Sequence, residues 1–232
     1  MSDNDISKRP RPTVLDKVYL LAQSASSVDP RVGVPASVFF ALVDPPLTRR
    51  TYEWVESIGK RLVSLEQRVE GLSVDDLSHD EGFVSTLLHA SQVALRSHHE
   101  EKLQALRNAV LNSALPNAPD EDLQQMFLNY IDMFTPWHLR MLVFAAKLER
   151  WVERRAESKR DAHTFSRLES MLQAEFPQLE ERQDFVAQVK EDLLTRGIIQ
   201  DNLWWEPTRM GDAFLRFVQE PPVLRTGDSD TP

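Results

Sequence analysis

The chain has 232 residues, of which 41% are hydrophobic. A chain of this length and composition can bury a core, either as one elongated domain or as two small ones. The formal net charge of −9 argues against the whole molecule being a phosphate-binding surface, because affinity for nucleic acid depends largely on Lys and Arg. The absence of Cys excludes a disulfide framework, a thiolate zinc site and a cysteine nucleophile.

The N-terminal part is predicted to be a disordered tail over residues 1–13 and a helical domain over residues 14–134. Met1 to Asp16 lacks the charged start and apolar core of a secretory signal, so we expect a cytoplasmic protein. The longest apolar run, Val32 to Val43, is too short for a membrane span, which needs about 20 residues. Pro45 and Pro46 are predicted to end a helix there, because proline lacks an amide hydrogen.

The segment Val34 to Val43 is apolar on every side. Burial, within the helical domain or against a partner, is the favoured interpretation, and Phe39 and Phe40 are then candidate partner-binding residues. The alternative is insertion into a membrane surface, with Arg49 and Arg50 at the headgroups.

Four further features predict helix boundaries in this domain. Apolar residues at steps of three and four predict an amphipathic helix over Thr48 to Val69, closed by Gly71. The polar stretch Ser97 to Glu101 predicts a kink or break in a long helical region. Asp120 is predicted to cap the next helix, and Thr135 with Pro136 to start another.

The C-terminal part, residues 135–219, is predicted to be a winged-helix-like domain, followed by a disordered tail over residues 220–232. Its predicted order is three helices, a short β-ribbon near Ile198 to Trp205, and a helix starting at Thr208. Gly197 is predicted to end the third helix in a left-handed conformation. The fold class is therefore all-α, or mainly α, with this module at the C-terminal end.

The predicted recognition helix, near Glu180 to Arg196, carries more acidic than basic residues. Each carboxylate near a phosphate adds repulsion, so this charge balance favours a protein-docking surface over a nucleic-acid interface. The candidate partner-binding residues here are Asp184, Glu191, Trp204 and Trp205. In the nucleic-acid alternative, the candidate contacts are Arg182, Lys190, Arg209 and Arg216.

Two clusters in the helical domain could carry chemistry. His98 to Glu101 is rich in metal-ligating residue types, but no second pair stands at a recognised spacing. Arg107, Asn108 and Asn112 resemble the Arg-polar-x-x-x-His motif of HEPN-type ribonucleases, with Asn112 in place of the His that serves as the acid-base group. We therefore predict no catalytic residues, no metal and no cofactor.

Several motifs resemble those of another bacterial family. These are Pro45 to Arg50, Glu101 to Leu115, and Leu123 to Leu128 ahead of Thr135 to Leu139. Their layout is similar to that of the Abi-alpha-type domain of unknown function, whose name associates it with abortive phage infection. The resemblance covers roughly Thr48 to Leu142 and implies a prokaryotic, defence-linked protein, and no catalytic residues can be carried over from it.

The function predicted from the sequence is that of a non-catalytic bacterial protein-interaction or regulatory protein, linked by resemblance to phage defence. A protein partner or a homo-oligomer is expected. The alternatives are a winged-helix nucleic-acid-binding regulator and a membrane-active defence effector that uses the segment Val34 to Val43.

Overall fold

The structure is a computed structural model that describes residues 36–153, 171–201 and 205–224, with side chains from residue 49 onward, except at 149–153. This part of the chain is mainly helical and contains a two-stranded antiparallel sheet, which confirms the predicted fold class at that level. Six helices precede the first internal gap: α1 (Ala36–Glu66), α2 (Val74–Leu77), α3 (Glu81–Arg96), α4 (Glu100–Ser113), α5 (Glu121–Met133) and α6 (Pro136–Glu153).

Residues 171–175 are helical, and the short 3-10 helix Pro177–Leu179 follows them. The remaining elements are α7 (Gln183–Thr195), β1 (Ile199–Asp201), β2 (Trp205–Pro207), α8 (Arg209–Val218) and the 3-10 helix Pro222–Leu224. The strands pair with Ile199 opposite Pro207 and Asp201 opposite Trp205.

The described residues form two compact units. The first comprises residues 36–128 together with Glu220 to Leu224, and the second is continuous, from Asn129 to Gln219. The boundary falls within α5, whereas the sequence placed it between Phe134 and Thr135.

Helix α1 contradicts the prediction that Pro45 and Pro46 end a helix, because it continues through both prolines to Glu66. Each proline removes one helical hydrogen bond, but the turns on either side keep their own, so the chain can hold a helical path. Within the described ranges, no helix combines the length and apolar character needed to cross a bilayer.

The core of the first unit forms where α1 packs against α3 and α4. Four apolar positions of the predicted amphipathic helix, Val55, Ile58, Leu62 and Leu65, are buried, whereas the fifth, Val69, is half-buried beyond the end of α1. Trp54 is buried as well, and its indole nitrogen donates to Ser91 Oγ at 2.9 Å. This hydrogen bond satisfies the polar edge of the ring, which is the usual condition for burying a tryptophan.

Two of the predicted boundaries in the first unit are confirmed, whereas the predicted helix start at Thr48 is wrong, because Thr48 lies within α1. Helix α3 ends at Arg96 and α4 begins at Glu100, so the stretch around Ser97 is a break and not a kink. Asp120 caps α5 by accepting from the Leu123 amide at 3.0 Å. Helix α1 ends at Glu66, earlier than predicted, and Gly71 has a φ of 78°, the left-handed region that favours glycine.

The segment from Glu220 to Leu224, predicted to lie in a disordered tail, is instead folded onto the first unit. The Glu220 carboxylate forms an ion pair with Arg61, and the Val223 carbonyl accepts from Arg68 Nη1 at 3.0 Å. Pro221 is buried. A polar composition predicted disorder here, but these contacts come from Arg61 in α1 and from Arg68 just after it, which are distant in sequence.

The core of the second unit is built on aromatic side chains. Phe134 stacks with Tyr130 at a ring distance of 5.6 Å and meets Phe214 edge-to-face at 6.0 Å. Helix α7 ends where Gly197 takes a φ of 65°, as predicted. Thr208 caps α8 by accepting from the Gly211 amide at 3.0 Å, which confirms the predicted restart of the helix.

Candidate interaction surface

Helix α7 has one buried and one exposed face. Val186, Val189 and Leu193 are buried at steps of three and four, which places them on a single face. The opposite face is exposed, and it consists of Gln183, Asp184, Ala187, Gln188, Glu191 and Thr195. This set, which we call the α7 outer face, carries two carboxylates and no cation.

Lys190 is the single cation within α7, and it is directed toward the β-hairpin. Its ammonium group forms an ion pair with Asp201 in β1 and lies 5.3 Å from the centre of the Trp205 ring in β2. One side chain therefore contacts both strands. A lysine held in this way is not free to neutralise a phosphate.

Arg182, just before α7, also has an intramolecular contact. It is exposed, and its guanidinium lies 4.2 Å from the centre of the Phe185 ring, within the range of a cation–π interaction. Beyond the C-terminal end, Arg196 Nη1 lies 3.7 Å from Asp192 Oδ1. The cations that flank the α7 outer face therefore contact partners within the same unit.

Arg209 and Arg216, the other candidate nucleic-acid contacts, lie on α8, and both are exposed. Arg209 lies in the first turn of this helix and Arg216 in the last. They are separate from the α7 outer face in sequence and belong to a different element. Neither brings a cation onto the helix that was predicted to enter a groove.

A contact between residues distant in sequence joins Asp192 in α7 to His138 in α6. His138 Nε2 lies 3.2 Å from Asp192 Oδ2, and His138 is 5% exposed. Burial raises the pKa of the Asp192 carboxyl, but the hydrogen bonds from His138 and Gln188 and the charge of Arg196 outweigh it. The pKa is therefore held below its ordinary value of 3.8.

The second ring nitrogen of His138 binds Thr135, which defines the tautomer. The Thr135 amide donates to Nδ1 at 3.1 Å, so Nδ1 carries no proton and Nε2 donates to Asp192. The Thr135 hydroxyl, 2.9 Å from Nδ1, then also donates to it. The sequence predicted that the Thr135 side chain would accept from helix amides, but its hydroxyl instead binds this imidazole.

The hydrogen bonds that join Thr135, His138 and Asp192 resemble those of a catalytic triad, but here they have a structural role. In a triad, the hydroxyl is the nucleophile, and one imidazole nitrogen is available to take its proton. Here Nδ1 already accepts from a backbone amide, and the ring stacks on Phe134 at 4.7 Å. The arrangement fixes the start of α6 against α7. Sequence reasoning missed it because His138 and Asp192 are 54 residues apart.

Several candidate residues lie outside the part that the structure describes. The side chains of Phe39 and Phe40 are among them, although their backbone belongs to α1. Trp204 is also outside, whereas Trp205 is half-buried beneath Lys190. Asp184 and Glu191 are both exposed on the α7 outer face, as a docking role requires.

The motif that resembles the HEPN pattern lies on α4 in the first unit. Asn108 and Asn112 are buried. Arg107 donates to Glu100 Oε1 at 2.8 Å and to Gln104 Oε1 at 2.7 Å. His98, just before α4, is exposed and lies 4.0 Å, centre to centre, from the ring of His99.

No protein-family model, curated protein or solved structure matches this chain. The resemblance to the Abi-alpha-type domain therefore stays a prediction, and no residue role is carried over from a relative.

Proposed function

We propose that this protein acts by binding another protein and that its second unit is a winged-helix-like module in which α7 forms the docking surface. The order α6, α7, hairpin and α8 supports this assignment, as does the position of α7 directly before the hairpin. The resemblance to the Abi-alpha-type domain would place this role in bacterial phage defence.

The observation that carries the proposal is the charge of the α7 outer face. Asp184 and Glu191 are exposed on it, and the only lysine of the helix is held by Asp201. An acidic surface attracts a basic one and repels phosphate, so the partner is a protein with a basic patch. Duplex DNA is disfavoured for the same reason.

The test is a charge reversal with a matched control. The variant Asp184→Lys with Glu191→Lys changes the α7 outer face, and Glu70→Lys with Glu81→Lys changes net charge equally on exposed positions of the first unit. A partner would be captured by crosslinking the full chain in extract of its source cells, identified by mass spectrometry, and purified. Its Kd would then be measured for all three proteins at two salt concentrations.

We expect the reversal on α7 to weaken binding by about 10-fold or more, and the control pair to change it less than about 3-fold. Binding by the wild type should weaken with salt, since charge attraction is screened. The proposal is wrong if both variants bind equally well. It is also wrong if the wild type binds a 20-base-pair duplex and loses that affinity in an Arg209→Gln, Arg216→Gln variant.

A further inference from the structure

A pocket of about 240 Å³ lies in the first unit, between α1, the end of α3 and the start of α4. It is lined by three guanidinium groups, those of Arg49, Arg50 and Arg107, and by His98. The two carboxylates that also line it belong to Glu53 and Glu100. A concentration of cations is unusual in a chain with a formal net charge of −9.

The carboxylates of the pocket are already paired. Glu53 lies 3.6 Å from Arg49, with both side chains well exposed, and Glu100 lies 2.8 Å from Arg107. Arg50 is exposed and has no carboxylate partner within the described ranges. Among the described residues that line the pocket, there is therefore one more guanidinium group than carboxylate.

Arg107 supplies the second observation. Its side chain is 17% exposed, and its two terminal nitrogens donate to Glu100 and Gln104. Its Nε is buried and has no hydrogen-bond partner in the described structure. A buried N–H donor without an acceptor is unfavourable, and in native proteins such groups are generally satisfied. Arg107 is one of the residues that line the pocket.

The walls of the pocket are partly apolar. Trp54 lines it, and because its ring nitrogen is bound to Ser91, the ring offers an apolar surface. Leu95 and Leu103 add aliphatic surface. Pockets for drug-sized ligands measure about 300–1,000 Å³, so this pocket takes a smaller molecule.

We propose that this pocket binds a small organic anion with a carboxylate or phosphate head and a short apolar or aromatic body. Arg50 holds the oxyanion through parallel hydrogen bonds from its guanidinium group, and the Nε of Arg107 donates one further hydrogen bond to it. The body lies against Trp54. This site is in the first unit and does not depend on the proposed docking function of α7.

The test is calorimetric titration of the full chain with benzoate, phenyl phosphate and inorganic phosphate, and with benzyl alcohol as the neutral control. We expect benzoate or phenyl phosphate to bind with a Kd on the order of 0.1–1 mM, as suits a ligand of about ten heavy atoms. Benzyl alcohol should bind at least about 10-fold more weakly, because it lacks the charge. The tighter of the two aromatic anions identifies the head group.

Three variants locate the site. Arg50→Gln and Arg107→Gln should each raise the Kd about 10-fold. The control is Lys60→Gln, which removes an exposed charge from the same helix as Arg50 and should change the Kd less than about 2-fold. If Arg107→Gln does not fold, judged by circular dichroism, Arg50→Gln alone decides. The indole signal of Trp54, assigned with Trp54→Phe, should shift on titration with the tighter anion.

Three results would overturn the proposal. One is that neither aromatic anion binds below about 10 mM, which is weaker than a built site of this size gives. Another is that benzyl alcohol binds as well as benzoate. The third is that Lys60→Gln weakens binding as much as Arg50→Gln.

Discussion

At the scale of single residues, His138 shows how a side chain joins two helices of the second unit. It accepts from the Thr135 amide at the start of α6 and donates to Asp192 on α7. The Asp192 carboxylate also accepts from Gln188 at 3.0 Å and lies beside Arg196. The charged form of Asp192 is therefore the form that its surroundings stabilise.

We expect Asp192→Asn to lower the free energy of unfolding at pH 7 by on the order of 1 kcal/mol, discounted because the side chain is 34% exposed. The folded-state pKa of Asp192 is lowered, so its stabilisation is fully present above the ordinary value of 3.8 and is lost as the pH falls through the folded pKa. The stability difference between wild type and variant should therefore shrink between pH 5 and pH 3. Urea denaturation at each pH measures it.

The control for this prediction is Asp184→Asn, an exposed position on the same helix. It should alter the free energy of unfolding by less than about 0.5 kcal/mol at either pH. A difference for Asp192→Asn that stays constant from pH 5 to pH 3 would contradict the prediction.

At the scale of elements, the contact between α8 and the start of the hairpin depends on a glycine. A Cβ added at Gly211 would stand 2.0 Å from the Ile198 carbonyl oxygen, far inside any van der Waals contact. That carbonyl accepts from the Thr208 amide at 3.0 Å, and the Ile198 amide donates to the Leu193 carbonyl at 3.0 Å. Backbone groups held in this way cannot easily move aside.

We expect Gly211→Ala to destabilise the protein by at least about 1–3 kcal/mol, because the clash with backbone exceeds the gain of about 1 kcal/mol that alanine brings to a helix. Gly82→Ala is the control, since its Cβ would meet only the Asp80 side chain, at 3.3 Å. That variant should stay within about 1 kcal/mol of the wild type in urea denaturation. Equal stability of the two variants would refute the close approach.

At the scale of the whole molecule, the two units are not two successive segments of the chain. The second unit is one continuous segment, whereas the first is completed by Glu220 to Leu224, after the second unit has ended. Arg61 on α1 and Arg68, just after its end, contact this returning segment.

A chain that ends at Gln219 should lose these contacts and become less stable in the first unit by about 1 kcal/mol, the usual scale of one surface ion pair and one hydrogen bond. Amide hydrogen exchange should become faster near Arg61 to Arg68 and stay unchanged in α7. A chain that ends at Leu224 keeps both contacts and is the control. Faster exchange in α7 alone would contradict the assignment of this segment to the first unit.

The sequence alone determined the features that depend on nearby residues. The apolar period of α1, the caps at Asp120 and Thr208, and the left-handed Gly197 were predicted because such signals act within a few residues. The mainly helical class followed from them. The acidic character of the α7 outer face was also visible, since net charge can be counted without a fold.

Tertiary structure decided the features that join distant residues. Three contacts of this kind leave no periodic signal in the sequence. They join Asp192 to His138, Lys190 to Asp201 and Trp205, and Glu220 to Arg61. The pocket beside Arg107 likewise needs three helices to meet. Local propensity acts between neighbours in the chain. The cations that remain available to a ligand are determined only when distant residues pack together.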